Sequence, residues 1–530
     1  MQIFLTLRGY FKGLLVFFLS LSVLAFNGVA ADESHGRAEH VVILVWDGMR
    51  PDFITPQITP NLCKMIKEGV YFNHHHPQYP STTEVNGTAI ATGMYPGHSG
   101  VVANAEYLPE LSFLSPVATE GFENLRRADL ITGGHYLRCS TLAEILQQAG
   151  YPTIITGTKT VALLHDRLPR NRTGAQSQSP VLFAGQTLPK GLIKDLETAN
   201  GGKKFPSTNS APNTAKDAWT TKALINGLWK NGVPKYTLMW LYDPDSTQHA
   251  KGVGSSAAVA GIENSDHSLM VVLNELEKRN LRDKTDVFVA SDHGFSNIKR
   301  GPDVADILKK AGFKATRKFE DPEPGEVMVV GLGGTSAIYV VNHDEEVISK
   351  LVQFLQGTDF AGVIFTRKAM EGTFPMDLVH VDKGESGPDI FVSMRWFDEK
   401  DGNGTPGVVV SDSGTKGKGT HGSLSRFDMH NILIAAGPDF KKGFVDELPT
   451  ASIDLAPTVL WIFNVAPPKP QDGRVLLEAM VNDKGGIVAE ARKLEASRDL
   501  GKVRWTQHLN VSRVGNTDYF DEGNGEAVTK

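Results

Sequence analysis

Three carboxylates and three histidines draw attention first, because most of them stand where an apolar run ends. Asp47 closes Val-Val-Ile-Leu-Val-Trp at 41–46, Asp245 and His249 follow the run at 236–242, and Asp292-His293-Gly294 follows that at 286–291. His421 lies farther on, in Gly-Thr-His-Gly. Oxygen and nitrogen donors without sulfur suit zinc or manganese, and six of them suffice for two ions. A two-metal site stabilises both the attacking and the leaving oxygen of an in-line displacement at phosphorus. A hydroxyl that could attack is present as well. Thr82 and Thr83 adjoin in Tyr79-Pro-Ser-Thr-Thr-Glu-Val-Asn86, where a Pro-Ser turn gives way to a helix-compatible run of small residues ending at Gly93. Free backbone amides and the helix dipole favour an anion at such a helix mouth. Singly, each residue has an ordinary explanation, as an N-cap, a turn aspartate or a structural histidine. Their conjunction points to chemistry.

The elements that must position these residues are legible as alternating strands and helices. A continuous apolar run such as 41–46 marks a strand buried on both faces, and ligands bind beyond the carboxyl ends of such parallel strands. Further strands are predicted at 70–72, 153–156, 236–242, 286–291 and 431–436. Helices are predicted from Thr59-Pro60 to Gly69, from the capping box Thr141-Leu-Ala-Glu144 to Gly150, and over 214–229, 257–279, 303–311 and 453–463. The pattern implies one α/β domain over 32–485, a doubly wound, mostly parallel sheet flanked by helices. Residues 170–212, rich in Pro, Gly, Asn, Ser and Thr, read as a surface excursion. Residues 325–400 read as a smaller α+β insertion. The charged extension 486–530 shows only weak patterning and is expected to pack outside the core or fray.

Arg8 and Lys12, the apolar run 14–26 and the small residues at 28–31 describe a secretory signal peptide over 1–31. The run is shorter than the roughly 20 residues a membrane-spanning helix needs. A periplasmic or secreted protein with no membrane segment after cleavage is expected. The net charge of −6 gives no global attraction to nucleic acid or anionic lipid, so an anion site must be local. With only Cys63 and Cys139, neither a disulfide framework nor a thiolate metal site is available, and whether the two pair is open.

The order Asp-Gly, Pro-x-x-Thr, Asp-x-x-x-His, Asp-His-Gly and His-Gly resembles the alkaline phosphatase superfamily, and within it the type I phosphodiesterase and nucleotide pyrophosphatase branch, in short islands spread over 41–474. The resemblance implies an alkaline phosphatase-like fold and a small-molecule phosphate ester as substrate. It also implies two divalent ions, zinc foremost, with manganese, magnesium or calcium as alternatives. By the match, Thr83 is the nucleophile, and Asn104, which follows Gly93-Met-Tyr-Pro-Gly-His-Ser-Gly100, holds a phosphoryl oxygen. Asp245, His249 and His421 would bind one ion. Asp47, Asp292, His293 and the Thr83 oxygen would bind the other. Asp454-Leu-Ala-Pro-Thr458 and Gly473-Arg474 resemble a structural segment.

The match is incomplete where substrates are chosen. Monoester- and phosphonate-cleaving relatives carry Lys-x-Lys or Lys-x-Arg after the strand that follows the nucleophile helix; here Gly157-Thr-Lys159-Thr-Val161 keeps only Lys159. Lys159 could balance a monoester dianion, which motivates a phosphomonoesterase as the alternative activity. The Trp-Pro-Gly of nucleotide pyrophosphatases is absent too. His165, Asp166, Arg167 and Arg170 are expected to face water. A sulfatase would need Cys or Ser in a Cys/Ser-x-Pro-x-Arg context, which is missing, and an inactive binding module would have no use for a complete ligand set. His74-His75-His76 is read as structural or surface, because consecutive residues of a strand point to opposite faces. His430 is read as the support of a turn, and His98 and His135 have no evident partner.

Overall fold

A computed structural model describes residues 35–530 apart from 120, 169–172 and 484. The signal peptide expected over 1–31 and Arg170 lie outside the described residues. Nine strands form the central sheet. In spatial order they are Phe444–Ala451, Val70–His76, Leu433–Ala436, Thr285–Ala290, His40–Trp46, Tyr236–Leu241, Thr153–Gly157, Val181–Phe183 and Gln186–Leu188. Adjacent strands run parallel except where Leu433–Ala436 opposes both neighbours and where Gln186–Leu188 turns back at the edge. The expected doubly wound, mostly parallel α/β architecture is therefore present.

The continuous apolar strands follow from burial on both faces. Along His40–Trp46, Val41, Ile43 and Val45 join one core while Val42, Leu44 and Trp46 join the other. The first core includes Ile90 of the helix Thr83–Thr92 and the helices Leu142–Gln148 and Leu455–Ile462. The second includes Pro60–Glu68, Ser256–Lys278 and the turn Ala223–Leu228. The capping box forms as read: Thr141 accepts from the Glu144 amide, and Glu144 from that of Thr141.

Two readings of the sequence need correction. The excursion at 170–212 is not wholly surface, because Val181–Phe183 joins the central sheet beside Thr153–Gly157 with Val181, Leu182 and Phe183 buried. A three-residue apolar run amid Pro, Gly and Ser is too short to register as a periodic signal. The segment after 486 neither frays nor lies loose. It forms a three-stranded antiparallel sheet of Ala489–Asp499, Val503–Val514 and Thr517–Thr529. Trp505, Leu509, Val511, Tyr519 and Phe520 of that sheet are buried.

A six-stranded mixed sheet contains Val327–Gly331, Thr335–Val340, Ile390–Met394 and Ala361–Thr366, with the helix Glu345–Leu355 packed against it. A separate small sheet pairs Ser296–Arg300 with Gly419–Thr420. Among the described residues, no helix is long and apolar enough to cross a membrane.

Candidate active site

Three neighbouring parallel strands deliver the carboxylates. Trp46 pairs with Leu241 and Val45 with Ala290, so the chain leaves all three strands at one level and places Asp47, Asp245 and Asp292 together. Gly48 makes the first exit possible. It sits at φ 73°, and a Cβ there would lie 2.9 Å from the Phe295 ring and 3.1 Å from the Asp245 Cβ. His293 follows Asp292 directly. His421 arrives from 128 positions away because Thr420 pairs with Ser296, three residues past His293. The His293 and His421 rings stack at 3.7 Å and 13°.

Each histidine is oriented by a backbone carbonyl. The Nδ1–H groups of His293, His421 and His249 donate to Gly294, Ser81 and Gly419 at 2.9, 2.8 and 3.1 Å. This fixes the tautomer and leaves each Nε2 lone pair facing the carboxylates, as in metal-ligating histidines. His293 Nε2 is 3.2 Å from Asp292 Oδ2 and 3.7 Å from Asp47 Oδ1. His249 and His421 Nε2 are 3.3 and 3.5 Å from Asp245 Oδ1. Those three oxygens, Asp47 Oδ1, Asp245 Oδ1 and Asp292 Oδ2, are buried and have no hydrogen-bond donor. Buried carboxylate oxygens and imidazole lone pairs aimed at one another are the donor set of a divalent-cation site, so the residues fit divalent ions.

The charge balance agrees. Burial first, and Asp292 second, push the Asp47 carboxyl well above its usual range. Burial would raise Asp245 too, but Lys159 and His249 outweigh it and hold that carboxyl well below. Burial, with His293 and His249 adding to it, pushes His421 well below the usual imidazole range, which keeps it neutral as a ligand must be.

The nucleophile turn lies against this set. Thr82 occupies the N-cap with extended backbone, and its buried hydroxyl has no hydrogen-bond partner. Thr83, the first helical residue, places Oγ1 3.2 Å from His293 Nε2. Asn104 reaches the same helix mouth: its Oδ1 accepts from the Glu84 amide at 3.1 Å, which leaves its NH2 to donate elsewhere. Every residue expected as a ligand or nucleophile is thus at one place, and His249 is the one on the exposed side.

Lys159 joins the site differently from the sequence reading. Its ammonium lies 2.9 Å from both Asp47 Oδ2 and Asp245 Oδ2. Two contributors escaped notice in the sequence. Trp240 Nε1 donates to Asp47 Oδ2 at 2.7 Å, and Phe295 packs against the rings of His249, His421 and His293. Trp240 had passed as an apolar strand residue; Phe295 could have been flagged by its place directly after Asp-His-Gly.

The residues set aside stay away from the site. His75 bonds Thr450 and His76 bonds the Met429 carbonyl, and both are buried. His430 donates to the Asn73 carbonyl, and His98 finds a partner in Asp472. His165 and Arg167 are buried rather than water-facing; Arg167 pairs with Asp129 and Glu144. Asp454 accepts from the amides of Ala451 and Arg474 and from the Tyr519 hydroxyl. Cys63 and Cys139 are both free thiols.

Fold and site together define a phosphoric ester hydrolase scaffold of the alkaline phosphatase type. The family described as type I phosphodiesterase / nucleotide pyrophosphatase matches residues 41–404, and the chain belongs to it. Among curated relatives, mouse ectonucleotide pyrophosphatase/phosphodiesterase family member 3 is 20% identical over 438 residues, covering 82% of this chain and 43% of that protein. Mouse bis(5′-adenosyl)-triphosphatase is 22% identical over 453 residues, covering 84% and 82%. A rattlesnake (Crotalus adamanteus) venom phosphodiesterase is 21% identical over 76% of this chain and 42% of its own length. The chain thus spans under half of two of these three relatives. The fold is shared with murine ectonucleotide pyrophosphatase/phosphodiesterase 5, solved as an inactive threonine-to-alanine form in complex with AMP: TM-score 0.58, 17% identity, 83% of this chain and 100% of that one covered.

Proposed function

We propose that this chain is an exported, metal-dependent hydrolase of phosphoric esters that acts on phosphodiesters or nucleotide pyrophosphate bonds through a phosphothreonine. The observation that carries the reading is the set of three carboxylate oxygens without a donor among the described residues, facing three oriented Nε2 atoms, with Thr83 Oγ1 3.2 Å from one of them, His293 Nε2. Asp245, His249 and His421 would hold one divalent ion and Asp47, Asp292, His293 and Thr83 the other; zinc suits these donors best, and bound ions supply Lewis acidity toward phosphoryl oxygens.

The residues of the chain do the rest. Thr83 Oγ forms a bond to phosphorus as the bond to the leaving oxygen breaks in line; water then displaces Thr83 from the phosphothreonine and releases the second product. The Asn104 NH2 and the positive end of the Thr83–Thr92 helix hold the non-bridging oxygens, where negative charge grows. The nucleotide names among the relatives favour a nucleotide substrate. Against the monoester alternative stands the pairing of the Lys159 ammonium with two carboxylates.

The test compares rates on a bis-aryl phosphate, an aryl phosphate, an aryl sulfate and a nucleotide, with metal stripped and restored. The diester and nucleotide should dominate, activity should return with zinc, and Thr83→Ala should abolish turnover while metal content stays nearly intact. Unchanged turnover in Thr83→Ala, or a dominant aryl phosphate or sulfate rate, would overturn the assignment.

A further inference from the structure

We propose that Lys159 is an internal counter-cation that ties the two ligand sets together and competes with the divalent ions for the same carboxylates. The inference rests on the two-ion reading above and goes beyond it, because it gives this lysine a role toward the metals instead of the substrate.

The carboxylates divide their oxygens. Asp47 turns Oδ1 toward His293, while its Oδ2 accepts from Trp240 Nε1 at 2.7 Å and lies 2.9 Å from Lys159 Nζ. Asp245 turns Oδ1 toward His249 and His421, while its Oδ2 accepts from Lys159 at 2.9 Å. Lys159 therefore takes the second oxygen of one ligand from each set and leaves the first oxygen of both for an ion. The side chain is 12% exposed. The Tyr242 ring lies 5.4 Å from Nζ. The residue before it is held twice, since the Thr158 amide donates to the Trp240 carbonyl at 2.9 Å and the Thr158 hydroxyl bonds Thr220 at 3.0 Å.

The energetics give the inference two opposite signs. Asp47, Asp245 and Asp292 form a buried acidic cluster, and unpaired buried carboxylates strongly destabilise a fold. Without metal, Lys159 is the lysine that among the described residues pairs with both Asp47 and Asp245. With metal, the same ammonium sits beside divalent cations and repels them. Removing it should weaken the metal-free fold and strengthen metal binding. A lysine that served only to bind a phosphoryl group would do neither.

The experiment uses the full chain as wild type, Lys159→Met and Lys159→Arg. Each is stripped with a chelator and titrated with zinc chloride against a chromophoric competitor, and thermal unfolding is followed in both states. Stripped Lys159→Met should melt at least about 5 °C below stripped wild type, zinc should close most of the gap, and its zinc affinity should rise about tenfold. Lys159→Arg should stay near wild type in both measurements. An unchanged stripped melting temperature, or zinc affinity that is unchanged or weaker, overturns the proposal. If stripped Lys159→Met does not fold, folding on addition of zinc chloride supports the proposal and failure to fold with zinc overturns it. Wild type that binds no zinc overturns both the two-ion reading and this one. Zinc binding with the expected shifts but no hydrolysis of any ester overturns the phosphoric ester reading alone.

Discussion

Thr82 and Thr83 are chemically identical neighbours, and only their places relative to the helix separate them. Thr82 keeps the extended backbone of the N-cap, and its hydroxyl has no partner among the described residues, whereas Thr83 is the first helical residue. The sequence left both open, and family resemblance chose Thr83; the geometry gives that choice a physical reason, 3.2 Å to His293. Asn104 is a sharper case. Its Oδ1 is spent on the Glu84 amide, so only the NH2 can serve a phosphoryl oxygen. Asn104→Ala should lower kcat by about 10²–10³, the cost of one lost donor to a developing anion, with zinc content unchanged. Asn104→Asp keeps the acceptor for Glu84 but points a negative charge at the phosphoryl group, so it should lose more than Ala. Steady-state kinetics with metal analysis on both variants checks this, and a milder loss in Asn104→Asp than in Asn104→Ala would refute the orientation.

At the scale of elements, the strands and caps were legible wherever the signal was local. The apolar run 41–46, the Thr141–Glu144 box and the Asp-bearing strand ends each carry their reason within a few residues. Elements set by distant pairing were not. His421 depends on the two-residue strand Gly419–Thr420 finding Ser296, and no period in the sequence announces that. The edge strand Phe444–Ala451 hides another such feature. Asp446 accepts from the Leu448 amide, and burial first, Glu478 second, push its pKa up to about 7. An acid raised in the folded state binds a proton there that the unfolded chain, near the ordinary value of about 3.9, does not. Its penalty is therefore full above pH 7 and fades as pH falls from about 7 to about 4. Asp446→Asn keeps the acceptor and offers Glu478 a donor, so it should stabilise the fold by about 2 kcal/mol at pH 9 and by little at pH 4–5. Thermal melts at the two pH values decide, and an equal shift at both would exclude the linkage.

The whole molecule is held by a part that the sequence barely showed. In Val503–Val514 the inward Trp505, Leu509 and Val511 alternate with the polar Arg504, Thr506, His508 and Asn510, a strand period broken in the sequence only at one inward position. One inward residue, Gln507, is itself polar. It is buried because its amide pairs with the backbone of Ile364, accepting from the N–H at 2.8 Å and donating to the carbonyl at 3.3 Å. The same C-terminal sheet reaches three regions. Trp505 Nε1 donates to the Gly372 carbonyl in the insertion, the Tyr519 hydroxyl to Asp454 in the core, and the Tyr95 hydroxyl, just beyond the nucleophile helix, accepts from the Asp518 amide. A charged peripheral tail would tolerate deletion within about 0.5 kcal/mol. A sheet that covers the insertion and braces the core should not. Trp505 is fully buried among Val392, Ile364 and their neighbours, so Trp505→Ala should cost about 3–5 kcal/mol through lost burial and the cavity left behind. Removing 486–530 altogether should expose that core and yield aggregated or partly unfolded protein even with zinc present. Urea denaturation of Trp505→Ala and solubility of the truncated chain test the point together. A soluble, fully active truncation would show that the site stands without its brace, and that the tail is periphery after all.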